Sequence, residues 1–189
     1  MSQQLQAYIE KRLGQTPENL EVVLAAFKPI KTKKNQVLLE VGEVCKHCYF
    51  ILNGCLKVSS YNVNGDESTI NLAFEEEWRT AMNSFVNQQP SNERIVAVEQ
   101  SELLAISRQK FQEFSQQISG FQQIYQQLLE ESYTKSVERV QTLMAMDALD
   151  RLKWLLSEQP LIFTRLSSRL IASYLGISEA TLSRLKPKL

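Results

Sequence analysis

The stretch 166–188 reads LSSRLIASYLGISEATLSRLKPK. Ser167 and Ser168 stand at an N-cap, where a side-chain oxygen accepts from the free N–H groups of a first helical turn. Leu170, Ile171, Tyr174 and Leu175 follow at helical spacing, and Gly176 supplies the left-handed residue that ends a helix at low cost. Ile177 reads as a buried turn residue and Ser178 as a second N-cap. Glu179 to Lys186 then reads as a second short helix, with Leu182 and Leu185 facing inward. Helix, Gly-containing turn and helix predict a helix-turn-helix, the element that carries a recognition helix into the DNA major groove. An αα-hairpin used only for packing would also show two caps and a Gly. The order of small Ala172, then Leu175-Gly176-Ile177-Ser178, then a polar helix favours the DNA-binding reading.

Charge distribution points the same way. The 189 residues carry no formal net charge, yet residues 162–189 hold Arg165, Arg169, Arg184, Lys186 and Lys188 against Glu179 alone, a net +4 that leaves −4 on the rest. A basic terminal module on an acidic body is the asymmetry expected where one end meets phosphate. No run approaches the roughly 18 apolar residues of a membrane span. MSQQLQAYIEKRL has no signal-peptide core, so a cytoplasmic location is expected, with no membrane partner.

Working back from the terminus, Asp147 reads as an N-cap for a helix over 148–158 carrying Leu149, Leu152, Leu155 and Leu156. Before it, a long helix from Gly120 repeats apolar residues every three or four positions from Phe121 to Leu143 or Met144. Such a stripe suits either a helix lying on its own domain or a two-stranded coiled coil. A domain boundary falls between Leu143 and Asp147. Residues 108–118 read as a short helix with Phe111, Phe114 and Ile118 on one face.

From about Phe27 to Ile106 the period changes to short strands: 37–39, 49–52, 56–58, 69–72, 94–98 and 102–106. Turn dipeptides separate them, at Lys34-Asn35, Val41-Gly42, Asn53-Gly54 and Asn64-Gly65. Asn53-Gly54 reads as a type I′ hairpin turn, which needs positive φ at both residues. Evenly spaced short strands predict a small barrel or roll. Residues 3–27 read as helical, with a helix starting at Thr16-Pro17.

A strand-rich roll, a long amphipathic helix and a C-terminal helix-turn-helix together resemble the Crp/Fnr family of bacterial transcription regulators over nearly the full chain. Gly42-Glu43, then Tyr49-Phe50-Ile51-Leu52-Asn53-Gly54 and Leu56-Lys57-Val58, look like the family signature, and Ser101 to Ile106 looks like the strand closing its roll. The resemblance implies an α+β protein. Residues 1–143 would form a double-stranded β-roll (cupin-like, similar to a cyclic nucleotide-binding domain) with a dimerisation helix over about 120–143. Residues 147–189 would form the helix-turn-helix domain, without a full wing after it. It implies a homodimer on a palindromic double-stranded DNA site. Arg184 would read a guanine with its planar fork. Glu179 and Ala180 stand where well-known members carry Arg and Glu. Ser167, Ser168, Arg169, Thr181, Ser183, Lys186 and Lys188 are candidate phosphate contacts, with Ser178 at the turn.

The ligand cassette departs from the family. Cyclic-nucleotide-binding members carry a Gly-Glu pair and, about ten residues on, an Arg-Ser pair that holds the cyclic phosphate. This chain has Trp78-Arg79-Thr80-Ala81-Met82 and then Ser91-Asn92, with Arg94 about three residues late. On the long helix, Ser136-Val137 occupies the place where some members contact the base. These residues argue against cyclic AMP, and no cofactor is expected. The alternative reading is a sensor whose roll binds another small-molecule effector, at a site drawn from Arg79, Thr80, Ala81, Met82, Ser91, Asn92, Arg94, Ser136 and Val137.

Cys45, Cys48 and Cys55 invite a metal or iron–sulfur reading, with His47 between them. A closed site needs four ligands, and the pattern straddles a turn and two strands, so buried structural thiols and no metal are expected. His47 is the only histidine. Neither a metal triad nor a Ser/His/Asp set can be built around it, and an enzyme is not expected.

Overall fold

The computed structural model describes residues 2–189, with the backbone alone at Ser2. The elements in chain order are α1 (Ser2–Leu13), α2 (Leu20–Ala25), β1 (Lys28–Thr32), β2 (Gln36–Leu39), β3 (His47–Asn53), β4 (Leu56–Tyr61), β5 (Glu67–Ala73), β6 (Trp78–Arg79), α3 (Met82–Asn87), β7 (Glu93–Ala97), β8 (Ser101–Ser107), α4 (Arg108–Gln117), α5 (Ser119–Ala145), α6 (Ala148–Glu158), α7 (Ile162–Arg165), α8 (Ser168–Leu175) and α9 (Glu179–Leu185). A short 3-10 turn, Lys186–Lys188, follows α9.

Two four-stranded antiparallel sheets, ordered β1-β8-β3-β6 and β2-β7-β4-β5, make the roll. Five consecutive residues of β3, Cys48 to Leu52, are buried. A continuous apolar run of that kind belongs to a strand covered on both faces. One face of β3 lines the roll interior, and the other lies under helices α1 and α4. Its neighbour β8 buries Leu103 to Ile106 and pairs Leu103 with Ile51 and Leu104 with Phe50.

The Asn53-Gly54 hairpin does not form. Strands β3 and β4 lie in different sheets, and Asn53 is not among the residues with positive φ, whereas Gly54 has φ 107°. The dipeptide is a corner that carries the chain from one sheet to the other. Glycine is needed there for close approach: a Cβ on Gly54 would fall within 2.8 Å of the Ser101 Cα. The Gly54 N–H also donates to Glu75 at 2.8 Å. A tight turn of this composition cannot distinguish a hairpin from a sheet-to-sheet corner, because both need the same backbone freedom.

The start of the second helix also differs from expectation. It begins at Leu20 behind Asn19, a left-handed residue at φ 62°, and not at Thr16-Pro17. Pro17 packs over α5 instead, where a side chain on Gly120 would come within 2.9 Å of its Cβ.

Two apolar clusters hold the molecule. The first fills the roll and takes in α1, α2 and α4, together with Phe121 and Ile124 of α5. The second joins Leu152 and Leu155 of α6, Ile162 of α7, Leu166, then Ile171, Ala172 and Leu175 of α8 and Leu182 of α9 to Cys55, Leu72 and Phe74 of the roll. The C-terminal helices thus share a core with the edge of the second sheet. Both the Asp147 and Ser178 caps form as read: Asp147 accepts from Leu149 N and Asp150 N, and Ser178 from Thr181 N. Ser167 caps α8 by accepting from Leu170 N. Gly176 ends α8 at φ 66°, with Ile177 N bonded to Ala172 O at 3.0 Å and Gly176 N to Ser173 O at 3.2 Å, the paired bonds of a Schellman turn.

The corner makes a direct prediction. Gly54→Ala both strains the backbone and drives a methyl into Ser101, so it should lower unfolding stability by about 2–4 kcal/mol. Gly65→Ala, which adds a Cβ into open space at the β4–β5 loop, should cost about 1 kcal/mol. Urea titration of both variants checks the difference, and equal costs would remove the corner argument.

Candidate effector cavity and DNA-reading face

A cavity of about 170 Å³ lies between β6, the start of α3 and the middle of α5. Arg79, Thr80, Met82 and Ser136 line it. The other residues considered for this site lie elsewhere. Ala81, the residue that opens α3, is buried and does not line the cavity. Ser91 is a loop tie, with its N–H on Glu43 O and its hydroxyl on Glu93 O, and Asn92 and Val137 do not line the cavity. Arg94 is committed to the outer face of the second sheet, where Nε holds Glu40 at 3.0 Å and Nη1 reaches Glu67 at 3.8 Å. The odd shift along β7 turns its side chain away from the cavity.

Several lining groups escape sequence reasoning because they come from remote segments. Tyr8 and Arg12 arrive on α1, Asn71 on β5, and Glu131 and Lys135 on α5. Arg12 grips Glu131 with both terminal nitrogens, the longer bond being 2.8 Å, and its guanidinium lies 4.6 Å over the Tyr8 ring. Lys135 pairs with Glu77. Burial pushes the Tyr8 hydroxyl up to about 12, the nearby Arg12 charge working against it. Trp78 meets Phe50 at 5.3 Å in a tilted pair and Phe27 at 5.7 Å edge-on, closing the inner wall.

Arg79, unlike Arg12 and Lys135 on the same wall, has no partner from the described residues of the protein. Its Nε is sealed from solvent with no hydrogen-bond partner, and among the described residues it makes no ion pair. Burial pulls its pKa down, while Glu77, Cys48 and Glu93 act at longer range to raise it.

The three cysteines are buried and unbridged. Burial pushes the Cys48 thiol up to about 12, with Cys45 beside it adding to the rise, and burial raises Cys55 as well. Thiols held protonated are poor nucleophiles and poor ligands. No cluster of His, Cys, Asp or Glu suited to a metal ion occurs among the described residues.

At the other end, α9 presents Ser178, Glu179, Ala180, Ser183 and Arg184 to solvent while Leu182 is buried beneath it. Ala180, Ser183 and Arg184 share one face by their three- and four-residue spacing. Arg184 folds back lightly on Thr181 Oγ1 at 3.3 Å. Lys186 donates to Ser168 at 2.9 Å and lies 4.2 Å over the Phe163 ring. Lys188 is exposed as well, whereas Ser167 and Arg169, though exposed, line a cleft between α8 and the second sheet with Lys57 and Arg94.

Arg165 does not join it. Its guanidinium is held by two roll carboxylates, Glu75 at 2.8 and 3.0 Å and Glu99 at 3.2 Å from Nε. The net +4 counted along the sequence therefore overstates the field that the module offers to a polyanion. Ser173 of α8 adds a second tie, donating to Thr69 Oγ1 at 2.9 Å and accepting from Thr69 N at 3.1 Å.

Residues 29–118 match the family model of the cyclic nucleotide-binding domain. Over most of its length the chain has the Crp/Fnr fold. FixK2 of Bradyrhizobium japonicum is 13% identical over 86% of this chain and 84% of its own, with a TM-score of 0.76. A Crp/Fnr-family protein of Eubacterium rectale is 14% identical over 88% and 79%, with a TM-score of 0.71. The catabolite activator protein of Thermus thermophilus is 21% identical over 96% and 86%, with a TM-score of 0.60. No curated protein matches the chain. Within the Crp/Fnr fold the cavity occupies the space between roll and long helix, and α8–α9 form the terminal helix pair. No helix among the described residues is long and apolar enough to cross a membrane.

The Arg165 anchor has a defined acid dependence. Burial alone would raise the Glu75 pKa, but the hydrogen bonds from Arg165 and Gly54 N–H outweigh it and set it below its ordinary value of 4.5. A depressed carboxyl contributes its stability in full above 4.5 and loses it as pH falls through the folded value. Arg165→Met should therefore destabilise by about 1–2 kcal/mol near neutrality. The gap from the parent protein should narrow in acid below 4.5, as read by thermal melts across pH. A gap independent of pH would rule the anchor out.

Proposed function

We propose that this chain is a sequence-specific DNA-binding transcription regulator of the Crp/Fnr type, acting as a homodimer on a palindromic site, and that it is not an enzyme. The observation that carries the reading is the exposed recognition face of α9, with Arg184 free of any carboxylate, at the end of a chain with the Crp/Fnr fold. Residues 1–143 act as the sensor domain with its dimerisation helix, and 147–189 as the DNA-reading domain. The Asp147 cap between α5 and α6 marks the joint.

Dimerisation along α5 is supported by what that helix leaves uncovered. Leu129, Tyr133, Val137, Val140, Leu143 and Met144 are all exposed, Met144 by 83%. They recur every three or four residues, the spacing of a coiled-coil seam. The accessible surface is 10760 Å², against about 9,200 Å² for a compact monomer of this mass. The excess, about 1,500 Å² on one chain, is more than the roughly 800 Å² that each partner of a standard interface buries. A second copy on this stripe would set two α9 helices to read successive major grooves about 34 Å apart.

In this reading the roll does not use cyclic AMP. The cassette lacks its Gly-Glu and Arg-Ser pairs, and Arg94, the only cation near the second pair, is bound to Glu40 and Glu67. A second function follows from the contacts of α5, namely that an effector in the cavity controls DNA binding. Lys135 of α5 pairs with Glu77 on the cavity wall. One turn later Arg139 donates to the Tyr174 carbonyl and lies 4.1 Å over the Tyr174 ring at the end of α8. A ligand that moves Glu77 or α5 would bias the helix pair through this route.

Two experiments test the proposal. Selection from a random duplex library should enrich a palindrome, and Arg184→Ala should weaken binding to it by about 10–100-fold while relaxing one base position per half-site. Val140→Glu with Leu143→Glu should yield a monomer by light scattering and remove the avidity of two half-sites. Failure to enrich any sequence would overturn the DNA reading; a dimer that survives both charges would overturn the α5 interface.

A further inference from the structure

We propose that the cavity between β6 and α5 is a receptor for a compact organic carboxylate with an apolar body, its acid group held by Arg79. This names the effector class of the sensing route above, and its binding test stands apart from DNA recognition.

The first argument is the state of Arg79. A guanidinium in a poorly hydrated site is costly unless a counter-charge and hydrogen bonds offset the loss of water. Arg79 has neither from the protein, and its Nε is an orphaned donor. The acids around it are engaged or out of reach. Glu77 is paired with Lys135 and Glu131 with Arg12. Glu76 is exposed at the cavity rim. Glu93 feels the Arg79 charge, yet burial still raises its carboxyl pKa, and no ion pair joins the two. A carboxylate is the group that a guanidinium fork binds bidentately.

The second argument is the rest of the wall. Phe85, Phe111, Tyr125, Leu128 and Met82 line the cavity, so a ligand that offered only charge would leave them unfilled. The third is size. A volume of about 170 Å³ is close to the roughly 150 Å³ cavity that holds one benzene ring. It falls below the 300–1,000 Å³ range usual for larger ligands. A single ring or a branched chain of four or five carbons matches that volume.

The position also gives the ligand a lever. Arg79 follows Trp78 on β6, and Glu77 precedes it, so an acid group on Arg79 competes with the Glu77–Lys135 pair that ties β6 to α5.

The test uses the full-length protein with benzoate and isovalerate as probes, and inorganic phosphate and cyclic AMP as controls, read by calorimetry and thermal shift. At least one carboxylate should bind and raise the melting temperature, with phosphate and cyclic AMP silent. Arg79→Met should weaken that binding by about 10-fold or more, whereas Arg94→Met should leave it unchanged. Without ligand, Arg79→Met should melt at or above the parent temperature, because it removes an unpaired charge. A merely structural arginine would instead melt lower when replaced. Silence of both carboxylates, equal binding to Arg79→Met, or phosphate binding as well as the carboxylates would each overturn the proposal. Carboxylate binding with no change in DNA affinity would leave the receptor standing and remove only its link to the regulator.

Discussion

The position of α5 on the roll is fixed by aromatic edges. Phe111 of α4 meets Phe85, Phe121 and Tyr125 at 5.5, 5.1 and 5.1 Å, each ring close to perpendicular to the next. Such pairs add about 0.5–1.5 kcal/mol each beyond the area they bury. Their geometric effect is larger. They seat the first turns of a 27-residue helix, and its middle turns meet the roll through polar groups such as Lys135. The same cluster forms the apolar wall of the cavity. Everything farther along α5, from the Lys135 contact to the uncovered seam and the Arg139 contact with α8, takes its place from that seat.

How much of this was legible in the sequence depended on how local the cause was. The end of α5, all of α6 and the α8–α9 pair were readable because caps are local chemistry: Asp147, Ser167 and Ser178 bond to N–H groups two or three residues ahead. The strand at 49–52 was readable for the same kind of reason, its apolar run being local. Asn53-Gly54 misled, since its glycine answers to Ser101, far away in sequence. Strands β1 and β6 escaped notice: Lys28-Pro29-Ile30-Lys31-Thr32 is polar, and Trp78–Arg79 is a two-residue strand set by its pairing with Phe50 and Tyr49.

The site was legible in its location and not in its membership. Trp78 to Met82 could be placed by order along the roll, and Arg79 was within view. What makes Arg79 unusual, a charge with no partner, is a property of the space around it and leaves no trace in sequence. Tyr8 and Arg12 reach the cavity across more than a hundred residues through the Arg12–Glu131 pair. Arg165 shows the converse error. Counted as one of five basic residues near the terminus, it belongs electrostatically to Glu75 and Glu99.

Arg139 and Arg151 make the last link a physical one. The carbonyl end of a helix carries partial negative charge, and a cation is most favourable within its final turn. Both guanidiniums converge there on α8, Arg139 on the Tyr174 carbonyl and Arg151 on the Leu175 carbonyl at 2.6 Å. One comes from α5 and the other from α6, so α8 is gripped from both sides of the Asp147 joint. Arg139 Nη1 and Arg151 Nε remain buried without partners. A grip with two unsatisfied donors holds α8 less tightly than a fully bonded one, because each orphan forfeits a hydrogen bond it would have in water. The opposing ties, Arg165 to Glu75 and Ser173 to Thr69, fasten the same helices to the roll. The orientation of α9 is therefore set by competition between contacts from α5 and α6 and contacts from the second sheet, and any group that alters the Glu77–Lys135 pair acts on one side of that competition alone.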